Sequence, residues 1–135
     1  MSNSERVLSV AEARAIDREA VDRFGMPTVL LMENAARGAA AVARTLGSRF
    51  VILCGAGNNG GDGLAIARHL GFARCALHLL AVPDPQKAPD AALQQQILQR
   101  AGATLQIGTE PDLSEYSGAV WIDALFGTGL DRELS

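Results

Sequence analysis

Phe50-Val51-Ile52-Leu53-Cys54 followed by Gly55-Ala56-Gly57-Asn58-Asn59-Gly60-Gly61-Asp62-Gly63 is the stretch on which the fold class turns. A short, unbroken apolar run that ends in glycines marks a strand buried on both faces, as in a parallel sheet. Gly55 to Gly60 satisfies G-x-G-x-x-G between that strand and a helix predicted across Leu64 to Leu70, stopped by Gly71. Alone the pattern is weak, because glycine-rich turns after strands are common. Glycine at 57, 60 and 61 leaves room for backbone N–H groups to approach a diphosphate, with the helix N-terminus behind them. Asn58, Asn59 and Asp62 add polar side chains short enough to stay beside such a ligand.

Toward the N-terminus, Ser9 and Glu12 form a capping-box signature, and Val10, Ala13, Ile16, Ala20, Val21 and Phe24 recur at helical spacing. Gly25 and Pro27 stop that helix. A second helix runs from about Thr28 to Leu46 and ends at Gly47, its middle crowded with Ala35, Ala36, Gly38, Ala39, Ala40, Ala41 and Ala43. Such a face admits a neighbouring backbone closely, although alanine's helix preference gives the same pattern.

Toward the C-terminus, Cys75 to Val82 reads as a strand broken by Pro83 and Pro85, and Asp90 as the cap of a helix reaching about Ala101. Thr104 to Ile107 reads as a short strand, Leu113 to Tyr116 as one turn, and Ala119 to Phe126 as the last strand. The alternation predicts an α/β fold: a three-layer αβα Rossmann-like parallel sheet with right-handed crossovers, covered on both faces, with two N-terminal helices in front. In a sheet ordered 3-2-1-4 the first and fourth strands are neighbours whose crossovers diverge, and ligands bind outside their carboxyl ends. Those ends are Gly55 to Gly63 and Gly127 to Arg132, so two glycine-rich loops are expected at one cleft. The chain stops three residues after Arg132. Residues 1–135 are therefore expected to be the front half to two-thirds of a single larger domain.

With 135 residues, 48% hydrophobic and 20% charged, the chain is of ordinary globular composition and one-domain size. Its net charge of -3 argues against nucleic-acid binding through bulk positive charge. No run approaches the ~18 continuous apolar residues that a membrane span needs, and the polar Met1 to Arg6 shows no secretory signal. Cys54 and Cys75 match no zinc or redox spacing and read as buried free thiols of a reducing compartment, so the expectation is a cytoplasmic protein.

Asp123, among Trp121, Ile122, Ala124 and Leu125, needs a partner if it is buried. Hydrogen bonds from loop amides would serve. So would a cation shared with Asn59 across the cleft, a hard ion with oxygen ligands rather than zinc. Asp62 reads either as a helix cap or as a contact to a ribose hydroxyl or the reacting group. Arg132 is a surface arginine or a phosphate partner. His69 and His78 lack partners at ligand spacing and receive no role; Trp121 and Met32 are assigned to the core. Asp17-Arg18-Glu19 and Asp22-Arg23 form a solvated helix face with local pairs.

Met32-Glu33-Asn34-Ala35, Cys54 to Gly63 and Asp123-Ala124-Leu125-Phe126-Gly127-Thr128-Gly129-Leu130 together resemble the YjeF N-terminal-domain family, the NAD(P)H-hydrate epimerases, in the family's order. The resemblance implies an isomerase of cofactor repair, interconverting the R and S epimers of NADHX and NADPHX, hydrated at ring carbon 6, ahead of an ATP- or ADP-dependent dehydratase. It implies that Asn58, Asn59, Gly60, Gly61 and Asp62, with Gly127, Thr128, Gly129, Leu130, Asp131, Arg132 and Glu133, bind the hydrated dinucleotide. It further implies that Asn59 and Asp123 hold a potassium ion, and it leaves a homodimer open. Epimerisation needs an acid to help the hydroxyl leave and a base for the returning water, and Asp62 is the candidate within this chain. The family's domain continues into a V-D-x-P-S-G-type segment with another aspartate at the substrate, which lies beyond Ser135.

Three rival readings remain. A nicotinamide-dependent oxidoreductase would use Asp84 after the second strand, although two prolines flank it. A binding or interaction module would keep the fold without the chemistry. A bifunctional epimerase–dehydratase would carry this chain as its front.

Overall fold

The computed structural model describes residues 9–125. Helix α1 spans Val10–Phe24 and opens with the expected capping box: Ser9 accepts from the Glu12 amide, and the Glu12 carboxylate accepts from the Ser9 amide. It closes on Gly25 in the left-handed region at φ 65°, which suits a residue without a Cβ. Its apolar stripe is open among the described residues, with Ile16 53% and Phe24 68% exposed.

Helix α2 covers Thr28–Leu46, and the small residues Ala36, Ala40 and Ala43 are the ones it buries, together with Met32. The parallel sheet follows: β1 Phe50–Cys54, β2 Cys75–Leu79, β3 Leu105–Ile107 and β4 Val120–Ala124, in the order β3-β2-β1-β4. Helices α3 (Asn58–Leu70) and α4 (Pro89–Arg100) make the first two crossovers, and a 3-10 turn, Leu113–Tyr116, lies on the third. Strand β2 stops at Leu79 rather than Val82, and Leu80 and Val82 are exposed. Its outer neighbour β3 is only three residues long and can pair no further.

Phe50, Ile52 and Cys54 belong to the main core with Leu64, Leu70, Leu77, Leu79 and Leu98. The alternate positions Val51, Leu53, Ala76, His78, Trp121 and Asp123 share the opposite face by register. That face was expected to be covered as fully as the first. Among the described residues it is not: Val51 and His78 are buried, but Asp123 is exposed and Trp121, assigned to the core by its sequence, is 37% exposed.

The helix layer is tied by a polar joint. Glu33 on α2 accepts from Arg68 and, at 3.0 Å, pairs with His69 Nε2 on α3; Gln94 Nε2 of α4 donates to it at 3.1 Å. Burial pushes the Glu33 carboxyl up, but the Gln94 hydrogen bond, the Arg68 charge and the His69 contact outweigh it and hold the group below its ordinary value. That stabilisation is complete above the unfolded carboxylate value and is lost as the pH falls through the lower folded one. Glu33→Ala is therefore expected to cost about 1–3 kcal/mol near neutrality, with the difference from wild type shrinking below about pH 4; urea titrations across that range check it.

Space, not only propensity, decides the glycines of the helix layer. A Cβ at Gly61 would lie 2.8 Å from the Ala91 Cα of α4 and 2.9 Å from the Met32 Cε of α2. Gly38, exposed in α2, has nothing within 4 Å. Gly61→Ala is expected to destabilise by about 1–3 kcal/mol, and Gly38→Ala to stabilise by about 0.5–1 kcal/mol. Opposite shifts in the urea midpoints of the two variants would bear this out.

Candidate functional site

The glycine-rich stretch is mostly helix. Helix α3 begins at Asn58, six residues before the start expected at Leu64, with Gly57 as its N-cap and the Gly61 amide reaching the Gly57 carbonyl at 3.2 Å. The amides of Asn58, Asn59 and Gly60 thus precede the first intrahelical bond, and among the described residues no side chain caps them. They lie just after the carboxyl end of β1, where the helix dipole favours an anion.

The glycines themselves serve packing more than ligand approach. A Cβ at Gly60 would lie 1.8 Å from the Gly55 carbonyl oxygen, and one at Gly63 would lie 2.7 Å from the Ala124 Cβ and 2.9 Å from the Cys54 Sγ. Gly60, Gly61 and Gly63 are all buried. Of the glycines expected to admit a diphosphate, Gly57 alone is both exposed and unobstructed.

Asp62 lies in the second turn of α3, so the cap reading of this residue falls away. It is half-buried, and burial pushes its carboxyl up to about 6. Together with Asn58 it lines a cavity of about 510 Å³ walled by Asp17, Asp22, Thr28 and Asp90. Asp90 is not the cap of α4 either. Ala88 holds that position with Pro89 behind it, and Asp90 instead accepts a hydrogen bond from the Thr28 hydroxyl, joining the starts of α2 and α4 at the cavity rim. Asp17 and Asp22, read from sequence as a solvated face, contribute to the same wall, while Arg23 and Glu19 do form a local exposed pair at 3.0 Å. Nothing in the spacing of α1 points to that wall, which arises from how α1 sits beside α2 and α3.

Asp123 is exposed, and its Oδ1 accepts from the Leu125 amide at 3.0 Å, the loop-amide partner that the sequence allowed. It pairs in register with Leu53, on the sheet face away from α3, whereas Asn59 is half-buried at the start of α3. Among the described residues no group of three or more His, Cys, Asp or Glu is arranged to hold a metal ion. Gly127, Thr128, Gly129, Leu130, Asp131, Arg132 and Glu133 lie outside the described residues.

Two histidines left without a role have partners distant in sequence: His69 with Glu33, and His78 with Tyr116 at 3.3 Å. Asp84, the acid an oxidoreductase would need, lies five residues beyond the end of β2 and accepts from the Gln86 amide of its own turn at 2.9 Å. Burial pushes the Cys54 thiol up to about 12 and the Cys75 thiol up to about 11, so both are poor nucleophiles at neutral pH. Among the described residues no helix is long and apolar enough to cross a membrane.

The sequence pattern of the family described as YjeF-related protein N-terminus matches residues 29–135. The chain belongs to this family. Among its YjeF relatives, an NAD(P)H-hydrate epimerase of Rhodopirellula baltica is 41% identical over 121 residues, covering 86% of this chain and 50% of the relative. An NAD(P)H-hydrate epimerase of Limosilactobacillus reuteri is 34% identical, with 96% of this chain and 62% of the relative covered. A bifunctional NAD(P)H-hydrate repair enzyme Nnr of Salinibacter ruber is 35% identical over 95% of this chain and 27% of its own length. The chain thus spans half to about three-fifths of the curated epimerases it matches. The crystal structure of yeast ynu0, YNL200c, superposes with a TM-score of 0.75 at 25% identity, over 96% of this chain and 60% of the yeast one. That likeness agrees with the parallel α/β sheet described above.

The raised Asp62 carboxyl has a consequence for stability. The fold favours its neutral form, a contribution complete below the unfolded value near about 4 and lost as the pH rises through about 6. Asp62→Asn is expected to be more stable than wild type at about pH 8, by on the order of 1 kcal/mol after allowing for solvent at its open side, and equal to it near about pH 3.5. Thermal melts of both proteins at the two pH values measure the difference.

Proposed function

We propose that this chain carries the epimerase chemistry of NAD(P)H-hydrate repair, an isomerisation that interconverts the R and S hydrates. The observation behind it is Asp62: a half-buried carboxyl, held near neutrality by burial, in a cavity at the start of α3. The relatives named NAD(P)H-hydrate epimerases supply the substrate class.

The chemistry suits such a group. At carbon 6 of the hydrated ring, the neighbouring nitrogen lone pair stabilises the cation left when the C–O bond breaks. Protonated Asp62 gives its proton to the departing hydroxyl, which leaves as water. Water then adds to the opposite face and gives its extra proton to solvent, from which the Asp62 carboxylate is reprotonated, so the residue ends as it began. A group titrating near the working pH serves both directions, which an ordinary aspartate does less well.

Substrate binding is assigned to Asn58 through Asp62, with the free amides of the first α3 turn facing the diphosphate, and to Gly127 through Glu133. Asn59 and Asp123 would hold a potassium ion. Among the described residues neither side chain is committed elsewhere except for the single bond from Leu125, and both offer the oxygen donors that a hard cation prefers. Such an ion would add positive charge for the diphosphate.

Asp62→Ala is expected to lower the rate of R/S interconversion by about 10²–10⁴-fold while the hydrates still bind. Chiral separation of the two epimers over time follows the rate, and undiminished interconversion in the variant would remove Asp62 from the mechanism.

A further inference from the structure

On the sheet face away from α3, the carboxyl ends of β1 and β2 and the turn after β3 enclose a second cavity, of about 210 Å³. Leu53, Leu79 and Leu125 contribute apolar walls, and Thr109 and Glu110 are polar. His78, only 4% exposed, also lines it. The imidazole Nε2 is 3.3 Å from the Tyr116 hydroxyl, and Nδ1 is a buried nitrogen without a hydrogen-bond partner among the described residues. A buried polar atom left in this way is destabilising, so a strand that could have carried an apolar residue here instead carries an unmet demand.

We propose that this cavity takes the purine base of the dinucleotide, with His78 bonding its edge. The proposal rests on the epimerase reading, which supplies a ligand having a base at one end and the reacting ring at the other. Four observations favour a base over the rest of that ligand. The volume is below the about 300–1,000 Å³ that whole drug-sized ligands occupy, and suits one ring system. The walls are mainly apolar, as a flat aromatic face requires. Glu110 places a carboxylate beside the cavity and would repel a phosphate group. Finally, Nδ1 either donates or accepts, depending on which partner supplies the proton between Nε2 and Tyr116, and an aminopurine edge offers both a donor amine and acceptor ring nitrogens. The cavity also lies at the carboxyl edge of the sheet beside the β1–β4 crevice, the edge where this topology binds nucleotides. Base and reacting ring would then be held on opposite faces of the sheet.

The sole tryptophan gives a readout. Trp121 packs edge-to-face on Tyr116 at 6.1 Å, and Tyr116 on His78 at 5.8 Å, so a ligand against His78 disturbs the environment of the indole. Adenosine 5′-monophosphate should change the Trp121 fluorescence saturably and shift the ring signals of His78, but not those of His69, in NMR spectra. His78→Phe and Thr109→Phe should each weaken that binding at least tenfold. The second variant adds bulk at an exposed position, so it remains informative should the buried change disturb folding, which thermal melts will report. Both variants should raise the KM for the hydrates with kcat within about twofold, the signature of lost binding away from the reacting centre. Absence of binding, unchanged affinity in both variants, or a shift confined to His69 would overturn the proposal. Epimerisation by the wild type, followed by chiral separation, is scored separately. Loss of nucleotide binding with epimerisation intact sinks only the base pocket; nucleotide binding through His78 without epimerisation sinks only the reaction.

Discussion

The constraint from which the rest of the molecule follows is the absence of space between the start of α3 and the end of β1. The Gly55 carbonyl fills the position that any side chain at 60 would need, and Cys54, Ile52 and Ala124 do the same at 63. Bringing the helix this close sinks its first turn into the carboxyl edge of the sheet. Asn58, Asn59 and Asp62 are thereby presented where the diverging crossovers leave a crevice. The same closeness removes Asp62 from bulk water, and that desolvation, rather than any charged neighbour, sets its proton affinity.

Much of this was legible in the residues. Ser9 with Glu12, Gly25 and the apolar run Phe50 to Cys54 are local signals acting within one turn or one strand, and the strand order followed from the alternation of elements. The start of α3 was hidden because five of its first six residues are Asn or Gly, a composition with poor helix preference. Tertiary packing overrides that preference here, and the packing partners, Gly55, Ala91 and Met32, are invisible to a reading by spacing. His78 and His69 were unreadable for a related reason, since their partners lie 38 and 36 positions away. The resemblance to the YjeF family rested on motifs rather than on periodicity, and it named the family whose pattern matches residues 29–135.

The two cavities differ in chemistry in a way that suits an asymmetric ligand. One is rimmed by charged groups, Asp17, Arg18, Asp22, Asp62 and Asp90. The other is largely apolar, with one imidazole at its wall. Between them lies the edge where uncapped amides emerge from α3. A dinucleotide bound as proposed above would meet three different environments in sequence.

The Glu33 joint bears on how this site can move. Small residues such as Ala36, Ala40 and Ala43 present a smooth surface over which a packed helix could slide by part of a turn with little loss. A carboxylate held at once by Arg68, His69 and Gln94 has no equivalent position one step along. Shear between α2, α3 and α4 would break those bonds while the groups remain half-buried. The three helices therefore behave as one plate, and any opening that admits a ligand must hinge at the plate's margins instead of slipping within it.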